Sequence, residues 1–115
     1  MNFQTDAPII QKLYDFYRIL YLAVGKMPKR DKYTLGEKLL RTNLDLLEFL
    51  IGASYFPRQE KINLLNQASI KLDLLKILLR LADELKSIPT KKYLILEEYL
   101  QETGKMLGGW IRSLK

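Results

Sequence analysis

The sequence predicts an all-α protein folded as an up-down-up-down antiparallel four-helix bundle. Three observations carry this. Apolar residues recur at three- and four-residue spacing through four segments of about 20 to 28 residues, which is the period of an amphipathic helix. The connections between the segments are short and hold Gly25, Pro28, Pro57 and Pro89. Short connections make consecutive helices antiparallel neighbours. No stretch alternates apolar and polar residues as a half-buried strand would, and no linker divides the 115 residues, so they form one domain. The expected helices span about 6–24, 32–55, 58–87 and 90–114.

The first helix is expected to start at Asp6, whose carboxylate can accept from free first-turn amides, with Pro8 tolerated in that turn. Its inner row reads Ile10, Leu13, Tyr17, Leu20 and Val24, and Gly25 is placed to end it. The connection from Gly25 to Asp31 is expected to be non-helical because of Pro28. It is the most basic short stretch, with Lys26, Lys29, Arg30 and Lys32 opposed by Asp31 alone. Four exposed cations suit a phosphate contact. They are equally consistent with a solvated loop near a helix C-terminus.

The second helix is expected to open on a capping box formed by Thr34 and Glu37. It carries two apolar rows, Leu40, Leu44, Leu47 and Ile51, and Leu39, Leu46, Leu50 and Ala53. Asn43 lies between them and needs a partner if buried. Pro57 keeps Phe56 out of helical geometry and sets the next turn.

The third helix organises the rest. Leu65, Ala68, Leu72, Leu75, Leu79 and Ala82 form its inner row. Beside it runs a second apolar row that includes Ile70, Leu74, Ile77, Leu78, Leu81 and Leu85. Together the rows exceed the apolar stripe of about 100° typical of a surface helix. The excess predicts a homo-oligomer covering Leu74, Ile77, Leu78 and Leu81. Lys76 and Arg80, four residues apart, stack on one helical face. They could serve a binding surface, or pair with Asp73 and Asp83.

The fourth helix is expected to be capped by Thr90, with Tyr93, Leu96, Leu100, Thr103, Leu107, Trp110 and Leu114 inward. Gly104 and Gly108 share a face. They read either as a place where another backbone or a large ring comes close, or as a kinked and fraying end. Trp110 is expected to be substantially buried beside them. Lys105, Arg112 and Lys115 add a second basic group with no acid after Glu102.

Composition narrows the function. There is no cysteine and no histidine, so thiolate sites are impossible and the commonest general base and metal ligand are absent. The adjacent pairs Asp83–Glu84 and Glu97–Glu98 point about 100° apart on a helix and do not converge. No Gly-rich phosphate loop joins a strand to a helix. We therefore expect no enzyme, no metal and no cofactor. The formal charge of +6 favours a polyanionic partner. No apolar run reaches the roughly 20 residues of a membrane span, and Lys12 and Asp15 interrupt the N-terminal apolar stretch, so a cytoplasmic protein is expected.

Three stretches together resemble a known family: Met27-Pro28-Lys29-Arg30-Asp31-Lys32-Tyr33-Thr34-Leu35-Gly36, the segment from Leu75-Lys76 to Arg80-Leu81, and Gly104-Lys105-Met106-Leu107-Gly108-Gly109-Trp110-Ile111. They are similar to the Avd family, the accessory variability determinants of diversity-generating retroelements. More distantly, they are similar to the four-helix-bundle proteins of ribosomal RNA intervening sequences. The resemblance runs from about Tyr14 to Leu114, and the closing Gly-x-x-Leu-Gly-x-Trp-Ile pattern is its most specific part. The leucine-rich second helix favours the Avd branch over the ribosomal one. The resemblance implies a basic, ring-shaped homopentamer that binds a retroelement reverse transcriptase and RNA or DNA. It implies a role in mutagenic copying of a template RNA, with Lys76 and Arg80 on the functional surface. Two other classes stay open: an intervening-sequence-type bundle without a polymerase partner, and a purely structural oligomerisation module.

Overall fold

The computed structural model describes residues 8–115. Asp6 and its expected cap lie outside the described residues. The fold is the predicted four-helix bundle: α1 Pro8–Gly25, α2 over 29–55, α3 Arg58–Glu84 and α4 Thr90–Ser113. Each helix packs on its predecessor, and α4 closes the ring by packing on α1. At 27 residues, α3 is about 40 Å long at 1.5 Å per residue, close to the 43 Å long dimension of the molecule.

The predicted inner row of α3 is the observed one. Leu65, Ala68, Leu72, Leu75, Leu79 and Ala82 are all buried. In α2 the row of Leu39, Leu46, Leu50 and Ala53 is buried, while Leu44 and Ile51 of the other row are exposed. The inner face of α1 is rotated from the expected one: Ile9, Phe16 and Ala23 join Leu13, Leu20 and Val24, and Ile10 and Tyr17 are only half-buried. Both phases offer an apolar row, so periodicity could not choose between them. In α4, Leu96, Leu100, Thr103 and Leu107 are buried, with Trp110 and Leu114 half-buried against the core. Thr103 meets its own needs by donating to Tyr99 O, 2.8 Å away.

Several local expectations are corrected. The helix ends at Gly25 but takes no left-handed cap, since no described glycine has positive φ. The α1–α2 connection is shorter than expected. Pro28, with ψ 143°, sits immediately before the first helical residue, and Asp31 N–H already donates to Pro28 O at 2.9 Å. Proline at this place blocks helix behind it, not ahead of it. The capping box is not formed, because Thr34 lies inside the helix and its hydroxyl donates back to Arg30 O at 2.9 Å. Residues Lys32–Gly36 instead make a wide π turn, which brings buried Gly36 against α1. A Cβ on Gly36 would lie 2.7 Å from Val24 Cγ1 and 3.1 Å from Met27 Sδ.

At its C-terminus α3 stops at Glu84, three residues early. Ser87 N–H donates to Ala82 O at 2.8 Å and Lys86 N–H to Asp83 O at 3.0 Å. That pair of bonds defines a Schellman motif, with its left-handed residue at Lys86, φ 60°. A side chain in this conformation carries a strain that glycine avoids. Lys86→Gly is therefore expected to raise stability by about 1 kcal/mol, read as a higher denaturation midpoint; an unchanged or lower midpoint would show that Lys86 makes compensating contacts. Thr90 does not cap α4. The preceding residue is Pro89, and the Thr90 hydroxyl donates across the turn to Asp83 Oδ1 at 2.8 Å.

Candidate functional site

The antiparallel arrangement fixes where the cations go. Asp45 of α2 accepts from Lys71 of α3 at 3.2 Å, which sets the register of these helices and places the start of α2 beside the end of α3. The α1–α2 and α3–α4 turns thus share one end of the bundle. The Ser87 hydroxyl confirms it by donating to Asp31 Oδ2 at 2.6 Å across the two turns. Lys26, Lys29 and Arg30 are exposed there, and Lys32 is half-buried with its ammonium 5.8 Å from the Tyr33 ring centroid.

Lys76 and Arg80 are exposed on the α4-facing side of α3. Their pairing with Asp73 and Asp83 does not form. The ion pairs among the described residues are Lys12–Glu102, Arg30–Asp31 and Lys71–Asp45, and Asp83 is engaged by Thr90. The Lys76 ammonium instead lies against α4: a Cβ on Gly104 would be 3.3 Å from Lys76 Nζ and 3.7 Å from Leu72 Cδ2. A Cβ on Gly108 would be 3.2 Å from Arg112 Nη1. Within one chain these glycines therefore admit cationic heads, not another backbone or a ring, and α4 runs unbroken through them. Lys76 and Arg112 are thus brought to the glycine face of α4, Lys105 is exposed and acts electrostatically on Glu102, and the Lys26–Lys32 group lies at the turn end.

On the opposite flank Lys12 donates to Glu102 and lies 5.2 Å from the Tyr99 ring centroid. Their hydrogen bond holds the Glu102 carboxyl below its usual range and the Lys12 ammonium above its own. Stability from the carboxylate is present above its unfolded pKa and is lost as acid protonates it.

Among the described residues, exposed apolar side chains gather on two faces. On α3, Ile70, Leu74, Ile77 and Leu81 form a stripe at four-, three- and four-residue spacing. Ile77 is 59% and Leu81 40% exposed, Leu74 and Leu78 are half-buried, and Leu78 packs on the core. A second face is shared by α1 and α2. Tyr21 lies on the side of α1 away from Lys12 and α4. Leu44 and Ile51 lie on the side of α2 away from Asp45 and α3. The sequence singled out the α3 row but not this second face, whose signal was the doubled apolar row of α2. Among the described residues no His, Cys, Asp and Glu cluster could hold a metal, and no helix is long and apolar enough to cross a membrane.

Fold and surface define a small four-helix bundle with basic flanks and two exposed apolar faces. The bAvd-like family model matches residues 8–114, and the chain belongs to that family. Among solved structures, a protein of unknown function from the S23 ribosomal protein family of Bacteroides thetaiotaomicron is similar at a TM-score of 0.81. The two are 21% identical, and the match covers 90% of this chain and 95% of the other. At that identity the likeness shows the shared fold alone. No curated protein matches the sequence.

Proposed function

We propose that the protein is a non-catalytic, cytoplasmic accessory factor of a diversity-generating retroelement. It binds the reverse transcriptase and the template RNA or its cDNA during mutagenic copying. The observation that carries this reading is membership of the bAvd-like family over 8–114. The unpaired cations Lys76 and Arg80 support it, because an exposed cation without an acid partner is available to phosphate or to an acidic polymerase surface.

Assembly belongs to the same reading. The α3 stripe and the α1–α2 face are different surfaces on different sides of one molecule. When two unlike patches on one chain are complementary, copies join head to tail, and a closing rotation makes a ring. A homopentamer is the form that the family resemblance implies. Such a ring repeats Lys76 and Arg80 in every copy and concentrates their field.

The Lys76→Ala, Arg80→Ala double variant is expected to fold and assemble like the parent yet lose polymerase binding in a pull-down. Its residual interaction should depend less on salt, since screened contacts have been removed. Sedimentation at micromolar concentration supplies the assembly control. Retention of full polymerase and RNA binding by a correctly assembled double variant would remove this flank from the functional surface. A reverse-transcriptase gene and a variable repeat beside the gene would separate this reading from the intervening-sequence type, which the S23-family fold likeness otherwise leaves open.

A further inference from the structure

The turn end of the bundle gathers charge that no single stretch of sequence displays. Residues 26–32 and 83–92 hold seven cations against three acids, a surplus of four within a chain whose total is +6. Two of those acids are occupied: Asp31 accepts from Ser87 and pairs with Arg30 at 3.5 Å, and Asp83 accepts from Thr90. Lys26, Lys29, Arg30, Lys86 and Lys91 are exposed. Two helices also begin here behind Pro28 and Pro89, and neither has a side-chain cap on its free amides. The C-termini of α1 and α3 lie at the same end, so the helix dipoles offset one another and the surplus is carried by the side chains.

Beside this surface stands Tyr33, 61% exposed. The π turn that carries it is pinned by Gly36 against Val24 and by the Thr34 hydroxyl on Arg30 O. A shallow depression lined by Tyr33, Thr34, Glu37, Lys38 and Arg41 continues from it along α2, with two more cations on its walls. Cations that follow a backbone and an aromatic ring that takes a base are the two parts of a single-strand binding surface. A duplex does not need the ring, because its bases are already stacked on each other.

We propose that the turn end binds single-stranded nucleic acid, with phosphates on Lys26, Lys29, Arg30, Lys86 and Lys91 and a base stacked on Tyr33. The assignment rests on the nucleic-acid-binding reading given above and places that contact away from the α3–α4 flank.

The test is fluorescence anisotropy of the full-length protein with a mixed-sequence single-stranded RNA of about 15 nucleotides, near the upper site size of small single-strand binders. Salt is varied in every titration, and circular dichroism and sedimentation confirm each variant's fold and assembly. The Lys29→Ala, Lys86→Ala, Lys91→Ala variant should lower the slope of log affinity on log salt by about 2, at roughly 0.7 per phosphate contact on a single strand. A control lacking three cations elsewhere, Arg18→Ala, Lys61→Ala, Lys115→Ala, should keep most of the parent slope. Tyr33→Ala should weaken binding by about tenfold or more, as loss of one stacked base does, and Tyr33→Phe should retain it. A duplex of the same length should show no dependence on Tyr33. Equal slopes in the two triple variants, or indifference to Tyr33→Ala, would overturn the proposal while leaving nucleic-acid binding itself standing. Equal competition by polyglutamate with no effect of Tyr33→Ala would assign the surface to an acidic protein instead. A parent protein that binds no RNA at low salt would overturn both this inference and the nucleic-acid part of the proposed function.

Discussion

Replacing Gly36 with alanine is expected to destabilise the bundle by about 1–3 kcal/mol, the usual range for inserting a methyl into a filled site. The sign is what makes the result diagnostic. Glycine inside a helix is worse than alanine by about 1 kcal/mol, so propensity alone predicts a gain. Here the new Cβ would fall 2.7 Å from Val24 Cγ1, far inside contact distance, and Val24 is itself buried. Valine is stiff at χ1, so the neighbour cannot swing away as a lysine would. Either α1 and α2 separate or the π turn shifts. The denaturant midpoint should fall at constant slope, measured at one protein concentration because assembly also contributes to stability. In a Val24→Ala background the same substitution should be far less harmful, since the clashing methyl is gone. A rise in midpoint on Gly36→Ala in the parent background would refute the close approach of α1 and α2.

Asn43 is the second site of large effect, and its two substitutions should move stability in opposite directions. It is fully buried, and neither Oδ1 nor Nδ2 has a partner; the adjacent Thr42 Oγ1 is likewise unpartnered. A buried polar group without a hydrogen bond costs about 1–3 kcal/mol. Leucine has the same branched four-atom skeleton as asparagine with no polar atoms but is bulkier, so Asn43→Leu should stabilise by at most that amount, less the cost of fitting the added volume. Asn43→Asp places a carboxyl in the same apolar setting. At neutral pH it should destabilise by about 3–5 kcal/mol, the range seen for an uncompensated buried charge. Burial raises the folded pKa of such a carboxyl above its unfolded value of about 3.9. The linkage then runs in one direction: the deficit grows as pH rises above the unfolded value and shrinks as pH falls toward it. Denaturation of Asn43→Asp at pH 4.5 and pH 7.5 reads this directly. Destabilisation by Asn43→Leu would mean that a buried water or a rearranged core already satisfies the side chain.

Helix number, the turn at Pro57 and the inner rows of α3 and α4 were legible in the sequence. They depend on the 3.6-residue period and on proline's fixed φ, which are properties of residues close together in the chain. The absence of histidine and cysteine is likewise a property of the sequence that folding does not alter. The three motif stretches pointed to the family that the match over 8–114 shows.

What only the tertiary structure decided depends on how far each helix is turned and slid against its neighbours. The face of α1 is one case: rows through Ile10 and through Ile9 are both apolar, and packing against α2 and α4 chose the second. The glycines are another. Gly104 and Gly108 drew attention by their spacing, yet the close helix contact falls at Gly36, whose importance comes from Val24 on a different helix. Lys76 has Asp73 at pairing spacing along its own helix but lies over Gly104 of α4. The turn-end cations come from segments more than 50 residues apart, joined by the Asp31–Ser87 hydrogen bond. Sequence periodicity reports which side of a helix is apolar. It does not report which residue of another helix arrives there, because that is set by the packing of all four helices at once.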